Sequence, residues 1–278
     1  MSDLATYSAA LRQDERGIWF AESSGPVSYP AQGHATCFAV EDSSFWFAHR
    51  NRCIVAAVRK HPPNGPIFDV GGGNGFVARA LLDAGCEVVL VEPAAEGALN
   101  ARARGLPQVV CATLDAAGFA PRTLPAAGLF DVIEHIEDDV AFLRRLAGLV
   151  KPGGHLYATV PAHAALWSDE DVRAGHFRRY ASAEFADRVR EAGFDVIFST
   201  LFFRPLPLAI FLMRTLPYRI GLKRNATVLE DAARDHGAKG GALVALLQRA
   251  LKPEVRNIKR GKRSSFGASI LLVGRRRQ

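Results

Sequence analysis

The chain is poor in cysteine, and this scarcity bounds its chemistry and its location. Only four of its 278 residues are cysteines, at positions 37, 53, 86 and 111, and none of them forms a C-x-x-C pair. Cys86 and Cys111 lie in or beside predicted buried strands, where a free thiol behaves as a small hydrophobic group. We therefore expect free thiols and a reducing, cytoplasmic environment.

Long apolar segments are also absent. The apolar run between Arg204 and Arg214 is nine residues long, far short of the roughly 20 residues that a membrane-spanning helix needs. Residues 1–4 lack the basic head and the apolar core of a signal peptide, so none is expected. In contrast, 49% of all residues are hydrophobic, which supports a real core and excludes a disordered protein.

Acidic residues are scarce in the last quarter of the chain. Residues 204–278 contain only four acids, Glu230, Asp231, Asp235 and Glu254, and the whole chain has a formal net charge of +7. Such a basic region could face phosphates, lipid headgroups or nucleic acid, or it could be a solvated surface. Its most basic stretch, residues 259–263, lacks the interleaved aromatic residues that stack on bases, so nucleic-acid binding is disfavoured.

A glycine cluster is the most informative feature that is present. Residues 71–75, Gly-Gly-Gly-Asn-Gly, directly follow the apolar run 67–70, which predicts a strand, a tight turn and a helix that begins near Phe76. The spacing is G-x-G-x-G, and Phe76 stands where a dinucleotide-binding G-x-G-x-x-G sequence needs its third glycine. This difference disfavours a nicotinamide or flavin cofactor.

A carboxylate follows the next apolar run along the chain. The run Val88–Val91 ends in Glu92, which lies 17 residues past Gly75. At the tip of the strand beside the glycine turn, a carboxylate can accept hydrogen bonds from both hydroxyl groups of a ribose. The turn and Glu92 together predict a ribose-containing ligand at this edge of the sheet.

With Asp69, the glycine turn and Glu92, the region resembles the class I S-adenosylmethionine-dependent methyltransferases of the type 11 and type 12 groups. Residues 128–136 (GLFDVIEHI) are similar to the family's fourth-strand motif, and residues 149–156 (LVKPGGHL) to its turn into the fifth strand. The resemblance implies an α/β fold with a doubly wound, Rossmann-like sheet and an antiparallel last strand. It covers roughly residues 45–203 and the final strand.

The alternation of apolar runs and helical segments predicts the order of the elements. We expect strands near residues 66–70, 87–92, 108–111, 126–130, 155–160, 194–203 and 269–274. Four segments follow from this order: an N-terminal helical lead segment (1–64), a cofactor-binding core (65–204), an inserted helical cap between the last two strands (205–265) and the final strand (266–278).

The resemblance assigns residues to an S-adenosylmethionine site. Asp69 is similar to the family acid near the amino group of the methionine part, and Glu92 to the acid on the ribose. Thr113 and Leu114 belong at the adenine edge, although Thr113 could merely cap a turn. Arg50, on the lead helix that closes over the cofactor, is expected near the methionine carboxylate, the alternative being a surface arginine. The other expected contacts are Gly71, Gly72, Gly73, Gly75, Pro93 and Phe130.

Asp131, Glu134 and His135 stand at positions i, i+3 and i+4, which places them on one face of a helical turn. In the ubiquinone-pathway O-methyltransferases and the small-RNA 2'-O-methyltransferases, a similar acid-x-x-Glu-His group binds a divalent cation. Alternatively, Asp131 and Glu134 form a capping box. His135 could also be a general base, because its unperturbed pKa of about 6.5 suits removal of a hydroxyl proton. We favour the base and expect no metal.

Residues 167–180 follow the fifth predicted strand. They resemble a W-S-x-x-D…G-H-x-R-R-Y pattern of bacterial methyltransferases, several of them in cell-surface polysaccharide and lipid-linked pathways. Its position over the strand ends predicts a substrate lid. His176 is a second candidate base, and an arginine could hold a phosphate or carboxylate of the acceptor. Alternatively, one arginine pairs with Asp171 and holds the loop in place. The expected substrate contacts are Trp167, Asp171, Arg178, Arg179 and Tyr180.

Residues 205–224 combine a short apolar run with the cations Arg214, Arg219, Lys223 and Arg224. Such a segment could lie in a membrane interface or cover an apolar substrate pocket. The alternative is a cap helix packed on the domain or in a dimer contact.

The favoured prediction is transfer of a methyl group from S-adenosylmethionine to a small-molecule, sugar or lipid-linked acceptor, at oxygen. One rival is a nicotinamide-dependent oxidoreductase on a similar sheet, which the missing third glycine disfavours. Another is a cofactor-binding but non-catalytic, membrane-associated partner, which the basic C-terminal region would suit. We expect a cytoplasmic protein with peripheral membrane contact through residues 205–224; the patterns specify no oligomeric state.

Overall fold

A single sheet connects the part of the chain that the computed structural model describes, residues 4–21, 37, 38, 40–222 and 242–278. Its strands are β1 (Leu11–Gln13), β2 (Ile18–Ala21), β3 (Ile67–Val70), β4 (Val88–Val91), β5 (Val109–Cys111), β6 (Leu124–Phe130), β7 (Val150–Pro161), β8 (Phe194–Phe202) and β9 (Ser269–Arg276). They lie in the order β1-β2-β5-β4-β3-β6-β7-β9-β8. Strands β3 to β7 are mutually parallel, whereas β9 is antiparallel to β7 and β8. The predicted fold class is confirmed.

Helices cover both faces of this sheet. They are α1 (Phe45–Lys60), α2 (Phe76–Asp83), α3 (Ala95–Ala103), α4 (Asp139–Leu149), α5 (Asp169–Ala174), α6 (Ser182–Glu191), α7 (Leu206–Ile210), α8 (Leu216–Arg219) and α9 (Ala242–Lys259). Successive residues of a strand point to opposite faces. Accordingly Phe68 packs in one apolar cluster and Ile67 in the other. Burial on both faces explains why the central strands are continuous apolar runs instead of alternating ones.

The N-terminal segment contributes a hairpin that the sequence analysis did not predict. Strand β1 pairs antiparallel with β2, and β2 adds in parallel to β5 at the edge of the sheet. The carboxylate of Asp14 accepts hydrogen bonds from the backbone N–H groups of Arg16 and Ile18, at 3.0 and 2.9 Å, and so fixes the turn. Two strands of three and four residues carry little local signal, and their partner lies far away in the sequence.

The predicted cap is described in two parts, because residues 223–241, which include Lys223 and Arg224, lie outside the described residues. In the first part, a π-helical segment (Phe211–Thr215) joins α7 to α8. In the second, α9 packs on α1, and its Leu251 is buried in the same apolar cluster as Ile54. Within the described ranges, no helix is both long and apolar enough to span a membrane. The division into lead segment, core, cap and final strand stays a prediction.

The sheet brings the expected site residues to one edge. Strand β3 is flanked by β4 on one side and by β6 on the other, so the strand order reverses between β3 and β6. Ligands of doubly wound sheets bind outside the carboxyl ends of the strands at such a point. Asp69, Glu92 and Phe130 all lie at or directly after these strand ends.

Candidate functional site

The glycine turn between β3 and α2 leaves its backbone open to a ligand. Gly71, Gly73 and Gly75 have φ angles of +70°, +54° and +76°, in the left-handed region that favours glycine. A Cβ atom on Gly75 would lie 2.6 Å from Leu106 Cδ1, whereas a Cβ on Gly73 would meet no atom within 4 Å. Gly75 is therefore required for packing, and Gly73 borders free space in which a ligand can lie against the backbone.

Asp69, at the end of β3, is a buried carboxylate without a partner. It is 1% exposed, and neither of its oxygens has a hydrogen-bond partner of normal geometry. Burial raises the pKa of Asp69 to about 7; Arg50 and, more weakly, the backbone N–H of Ala78 oppose this rise, while Glu92 adds to it. A buried polar group without a partner is costly, so Asp69 is well suited to receive a cationic ligand group.

Glu92 fixes the turn from the neighbouring strand. Its two carboxylate oxygens accept hydrogen bonds from the backbone N–H groups of Gly73 at 2.9 Å and of Ala94 at 2.8 Å. A carboxylate oxygen can accept more than one hydrogen bond, so Glu92 has the chemistry to accept a ligand hydroxyl as well. Pro93, the next residue, accepts a weak hydrogen bond from the Cys111 thiol through its carbonyl, at 3.8 Å.

The predicted adenine edge is partly explained by turn chemistry. The hydroxyl of Thr113 accepts a hydrogen bond from the backbone N–H of Ala116 at 3.1 Å, which is the capping geometry of the alternative interpretation. Leu114 and Phe130 are buried, at 5% and 6% exposure, and both belong to the apolar interior next to the strand ends.

Arg50 reaches the site from the lead helix α1. It is buried, which excludes the alternative of a surface arginine, and its Nη1 lies 2.5 Å from Asp131 Oδ2. Asp131 also accepts a hydrogen bond from the hydroxyl of Thr159 at 2.9 Å. The capping-box alternative for Asp131 is wrong, because the short helical turn at Ile133–His135 has no side-chain cap.

Glu134, His135 and His176 come together although α4 and β7 lie between His135 and His176 in the sequence. Each offers one donor atom within 4.8 Å of the others, and the two imidazole rings are 4.8 Å apart in an edge-to-face contact. Burial and the nearby Asp131 raise the pKa of Glu134 well above its ordinary value. Burial and repulsion from His176 lower the pKa of His135 to about 4. His135 is therefore a neutral but weak base at neutral pH.

The predicted lid, residues 167–180, is held in place by Asp171, whose two carboxylate oxygens both accept hydrogen bonds. Its oxygens accept hydrogen bonds from Arg179 Nε at 2.7 Å and the backbone N–H of Ser168 at 2.9 Å, and His176 Nδ1 lies 2.9 Å away. Burial alone would raise the pKa of Asp171, but the hydrogen bonds and charges of His176 and Arg179 hold it below its ordinary value. Asp171 and Arg179 thus have the pinning role of the alternative interpretation, not the expected substrate contact.

Two further expected substrate contacts have structural partners. Tyr180 is fully buried and donates its hydroxyl hydrogen bond to Asp139 at 2.7 Å, so the prediction that it touches substrate is corrected to a packing role. Arg178 pairs with the same Asp139 at 2.9 Å and donates to the Glu137 carbonyl. Trp167 is partly exposed at the start of the lid and stays available.

A polar network behind the turn was missed in the sequence analysis. The side chain of Asn51 donates to the carbonyl of Phe76 at 2.9 Å, which ties α1 to the start of α2. Asn74 is buried within the turn, accepts a hydrogen bond from Asn100 at 2.9 Å and contacts Glu41. The signal available in the sequence was Asn74, the only residue of the turn that is not glycine.

The strand order and the geometry of the site together are those of a class I methyltransferase. Residues 44–198 match a family model described as "Methyltransferase domain". This match covers more than half of the chain, so the chain belongs to that family. The resemblance to S-adenosylmethionine-dependent methyltransferases is confirmed.

Curated relatives share this region. The chain is 31% identical over 112 residues to the ubiquinone biosynthesis O-methyltransferase of Xanthomonas campestris pv. campestris (strain B100), a match that covers 38% of this chain and 47% of the relative. The chain thus spans about half the length of that relative. It is 24% identical over 178 residues to a Mycolicibacterium smegmatis protein named "Probable S-adenosylmethionine-dependent methyltransferase", with 62% and 67% of the two chains covered.

Solved structures support the fold alone. The phosphoethanolamine N-methyltransferase 2 of Haemonchus contortus, in complex with S-adenosyl-L-methionine, aligns with a TM-score of 0.55 at 18% identity and covers 94% of this chain and 62% of that one. A methyltransferase of Thermotoga maritima aligns with a TM-score of 0.52 at 18% identity over 87% and 93% of the two chains.

Proposed function

We propose that the protein transfers a methyl group from S-adenosylmethionine to a hydroxyl group of a small-molecule or lipid-linked acceptor. The observation that carries this proposal is the buried, unpartnered carboxylate of Asp69 beside the open backbone of Gly73 and the carboxylate of Glu92. These groups match the cationic amino group and the ribose of the cofactor. When bound, the cofactor supplies an electrophilic methyl group.

The residues at the strand ends would hold the cofactor, and the lid would hold the acceptor. Asp69 would accept hydrogen bonds from the ammonium group, and Glu92 from the ribose hydroxyls. Arg50 is already paired with Asp131, so its contribution is to fix the lead helix over the turn and to balance the acidic cluster. Alignment of acceptor and methyl group in a site shielded from water supplies much of the rate.

His176 is the stronger candidate for the base. Its Nδ1 lies 2.9 Å from the Asp171 carboxylate, which orients the ring and leaves the other ring nitrogen to accept the acceptor's hydroxyl proton. His135 has a lowered pKa of about 4 and serves better as a neutral neighbour that packs against the ring of His176.

A divalent cation is the alternative to a base. Glu134, His135 and His176 supply a mixed carboxylate and imidazole donor set, and Oε2 of Glu134 is buried without a hydrogen-bond partner. The set differs from the acid-x-x-Glu-His group of the resemblance, because Asp131 is committed to Arg50 and Thr159. A cation held there would act as a Lewis acid on the acceptor oxygen.

Oxygen as the methylated atom is supported by the relative named as a ubiquinone biosynthesis O-methyltransferase. A lipid-linked acceptor is supported by an exposed apolar row that runs from α7 through the π-helical segment to the end of α8. This apolar row consists of Leu208, Leu212, Leu216 and Ile220, with exposed fractions of 66%, 52%, 38% and 63%. Leu206 and Ile210, from the same run, are buried and anchor the segment instead.

The apolar row fits an anionic lipid surface, since residues 204–222 contain no acid and supply the exposed cations Arg204 and Arg219. The third arginine, Arg214, is paired with Glu170. Anionic vesicles should therefore bind the protein at low salt and release it at high salt. Each surface cation that approaches the headgroups should contribute about 1 kcal/mol to the binding free energy at low salt. Leu212→Glu should abolish co-sedimentation, whereas Leu99→Glu, at the exposed Leu99 of α3, should not. Equal binding of both variants would contradict membrane contact through this row.

Cofactor binding is the test of the proposed function. Titration calorimetry should detect S-adenosylhomocysteine binding and no NAD binding. Glu92→Gln should weaken S-adenosylhomocysteine by about 2 kcal/mol, because charge-assisted hydrogen bonds to the ribose are lost. The matched control is Glu96→Gln on the exposed face of α3. Binding of NAD in place of S-adenosylhomocysteine would contradict the proposal.

A further inference from the structure

A cavity lies beside the edge strand β8, between the carboxyl end of that strand and helix α9. Its volume is about 230 Å³. The residues that line it are Thr200, Leu201, Arg204, Glu254, Asn257, Ile258, Lys262, Arg263, Ser264 and Ser265. None of them belongs to the candidate site described above.

The lining of this cavity is positively charged. It carries three cations, Arg204, Lys262 and Arg263, against the single carboxylate of Glu254. Arg263 donates a hydrogen bond to the Ile197 carbonyl at 3.2 Å. Within the ranges that the structure describes, none of the three cations forms an ion pair. Positive charge therefore exceeds negative charge among the side chains that line the cavity.

Glu254 offsets at most one of the three positive charges, and its carboxylate is held by neighbouring groups of the fold. Its oxygens accept hydrogen bonds from the backbone N–H groups of Phe203 at 2.9 Å and Arg204 at 2.7 Å, and His49 Nε2 lies 2.8 Å away. These donors fix the turn after β8 against α1 and α9. The turn that presents the Arg204 side chain is thus preorganised.

Neutral hydrogen-bonding groups complete the lining. The backbone N–H of Ser264 donates to the hydroxyl of Thr200 at 2.8 Å, and the backbone N–H of Leu201 donates to the carbonyl of Ser264. These bonds hold the loop before β9 against the end of β8. Ser265 and Asn257 add a hydroxyl and an amide to the same wall. Hydroxyl, amide and cationic donors together are the groups that recognise phosphate oxygens.

The cavity opens on the same edge of the sheet as the candidate site. Both β7 and β8 are antiparallel to β9, so β8 runs parallel to β7 and ends at the edge where the cofactor residues lie. Only Pro205 separates Arg204 from α7, the helix that begins the segment carrying the apolar row. From this arrangement we infer that the cavity is a binding site for a phosphate or pyrophosphate group, next to a surface suited to an acyl or prenyl chain.

The inference goes beyond methyl transfer, since the cavity would bind a phosphate whether that group belongs to the acceptor, to a membrane lipid or to a soluble molecule. The test is calorimetric titration of the full chain with inorganic pyrophosphate at fixed ionic strength. We expect saturable binding that Arg204→Gln and Lys262→Gln each weaken about tenfold, because each removes a charge-assisted contact. The Arg204 substitution keeps the backbone N–H that holds Glu254.

The matched controls are Arg249→Gln and Lys252→Gln, two exposed cations of α9 outside the cavity. Both should bind pyrophosphate within about twofold of the unmodified chain, since the lost charge is not in contact with the ligand. An equal loss in the controls, or no saturable binding by the unmodified chain, would overturn the inference. S-adenosylhomocysteine binding measured on the same samples separates this result from failure of the proposed methyl transfer.

Vesicles distinguish the sources of the phosphate. Phosphatidic acid vesicles that retain the protein, and release it when pyrophosphate is added or Lys262 is replaced, would assign the site to a lipid headgroup. Pyrophosphate binding with no vesicle retention would assign it to a soluble phosphorylated ligand. Vesicle retention that neither pyrophosphate nor Lys262→Gln affects, together with no pyrophosphate binding, would contradict the site.

Discussion

Asp69 and Asp171 are both buried carboxylates, each 1% exposed, yet their pKa values move in opposite directions. At the glycine turn, burial raises the pKa of Asp69, and neither of its oxygens has a partner of normal geometry. In the predicted lid, hydrogen bonds and charges from His176 and Arg179 outweigh the effect of burial, so the pKa of Asp171 is lowered. The difference separates a carboxylate kept for a ligand from one committed to the fold.

The largest expected effect comes from removing the carboxylate of Asp171, which is fully hydrogen-bonded. Asp171→Ala should destabilise the protein by about 3 to 5 kcal/mol, because the nearly buried guanidinium of Arg179 loses its partner. Urea unfolding measures this loss. The control is Asp169→Ala, which breaks a partly exposed pair with Arg173 that contributes about 0.5 kcal/mol. Equal stability of the two variants would remove Asp171 as the pin of the lid.

The carboxylate of Asp69 should have the opposite effect and lower the stability of the ligand-free protein. The ordinary pKa of an aspartate is 3.8, and that of Asp69 in the folded protein is about 7. Below the lower value both folded and unfolded chains are protonated, and Asp69 imposes no cost. As the pH rises from about 4 to about 7, the unfolded chain releases a proton that the folded chain retains. Asp69 therefore costs stability progressively over this window and most above pH 7.

Asp69→Asn should accordingly stabilise the ligand-free protein at pH 8 by about 3 kcal/mol, somewhat less than the linkage limit because the amide also lacks a partner. The gain should vanish near pH 4. Urea unfolding of both proteins at the two pH values measures it. A gain that is absent at pH 8, or equal at both values, would show that Asp69 is not desolvated in this way.

The two histidines offer a smaller, kinetic contrast. His176→Ala should lower the rate of methyl transfer about a hundredfold, because an oriented base is lost. The effect of His135→Ala should be smaller, since a group with a pKa of about 4 is a weak base. Cofactor affinity should stay unchanged in both variants.

A chelator sharpens the same contrast. Activity should survive it, because the proposed base needs no metal. Loss of activity in chelator that magnesium restores, with similar loss in both histidine variants and in Glu134→Gln, would replace the base with a cation held by the Glu134, His135 and His176 group.

The part of the site that was predicted from sequence is the part in which neighbours in the chain are neighbours in space. The turn 71–75 and the tip of β4 at Glu92 follow directly from apolar runs that end in a polar residue. All seven predicted strands are present for the same reason. The hairpin of β1 and β2 was missed, because its edge position depends on pairing with β5, about 90 residues away.

Long-range packing decides the rest of the site. Nothing near Asp131 in the sequence indicates that Arg50 pairs with it, or that His176 packs against His135. Tyr180 was expected at the substrate because of the motif around it, and only the position of Asp139 on α4 shows why it is buried. The apolar run 206–212 was recognised, but its division into buried and exposed positions depends on how α7 packs on the domain.

We propose that the buried carboxylate of Asp69 binds the ammonium group of the cofactor, and the affinity for S-adenosylhomocysteine at pH 6 and pH 8 tests this role. Binding of the ammonium group requires the charged carboxylate, so affinity should rise about tenfold over this range as Asp69 loses its proton. Asp69→Asn should bind at least about thirtyfold more weakly at pH 8, with no such rise. Equal affinity of the two proteins, independent of pH, would contradict the account.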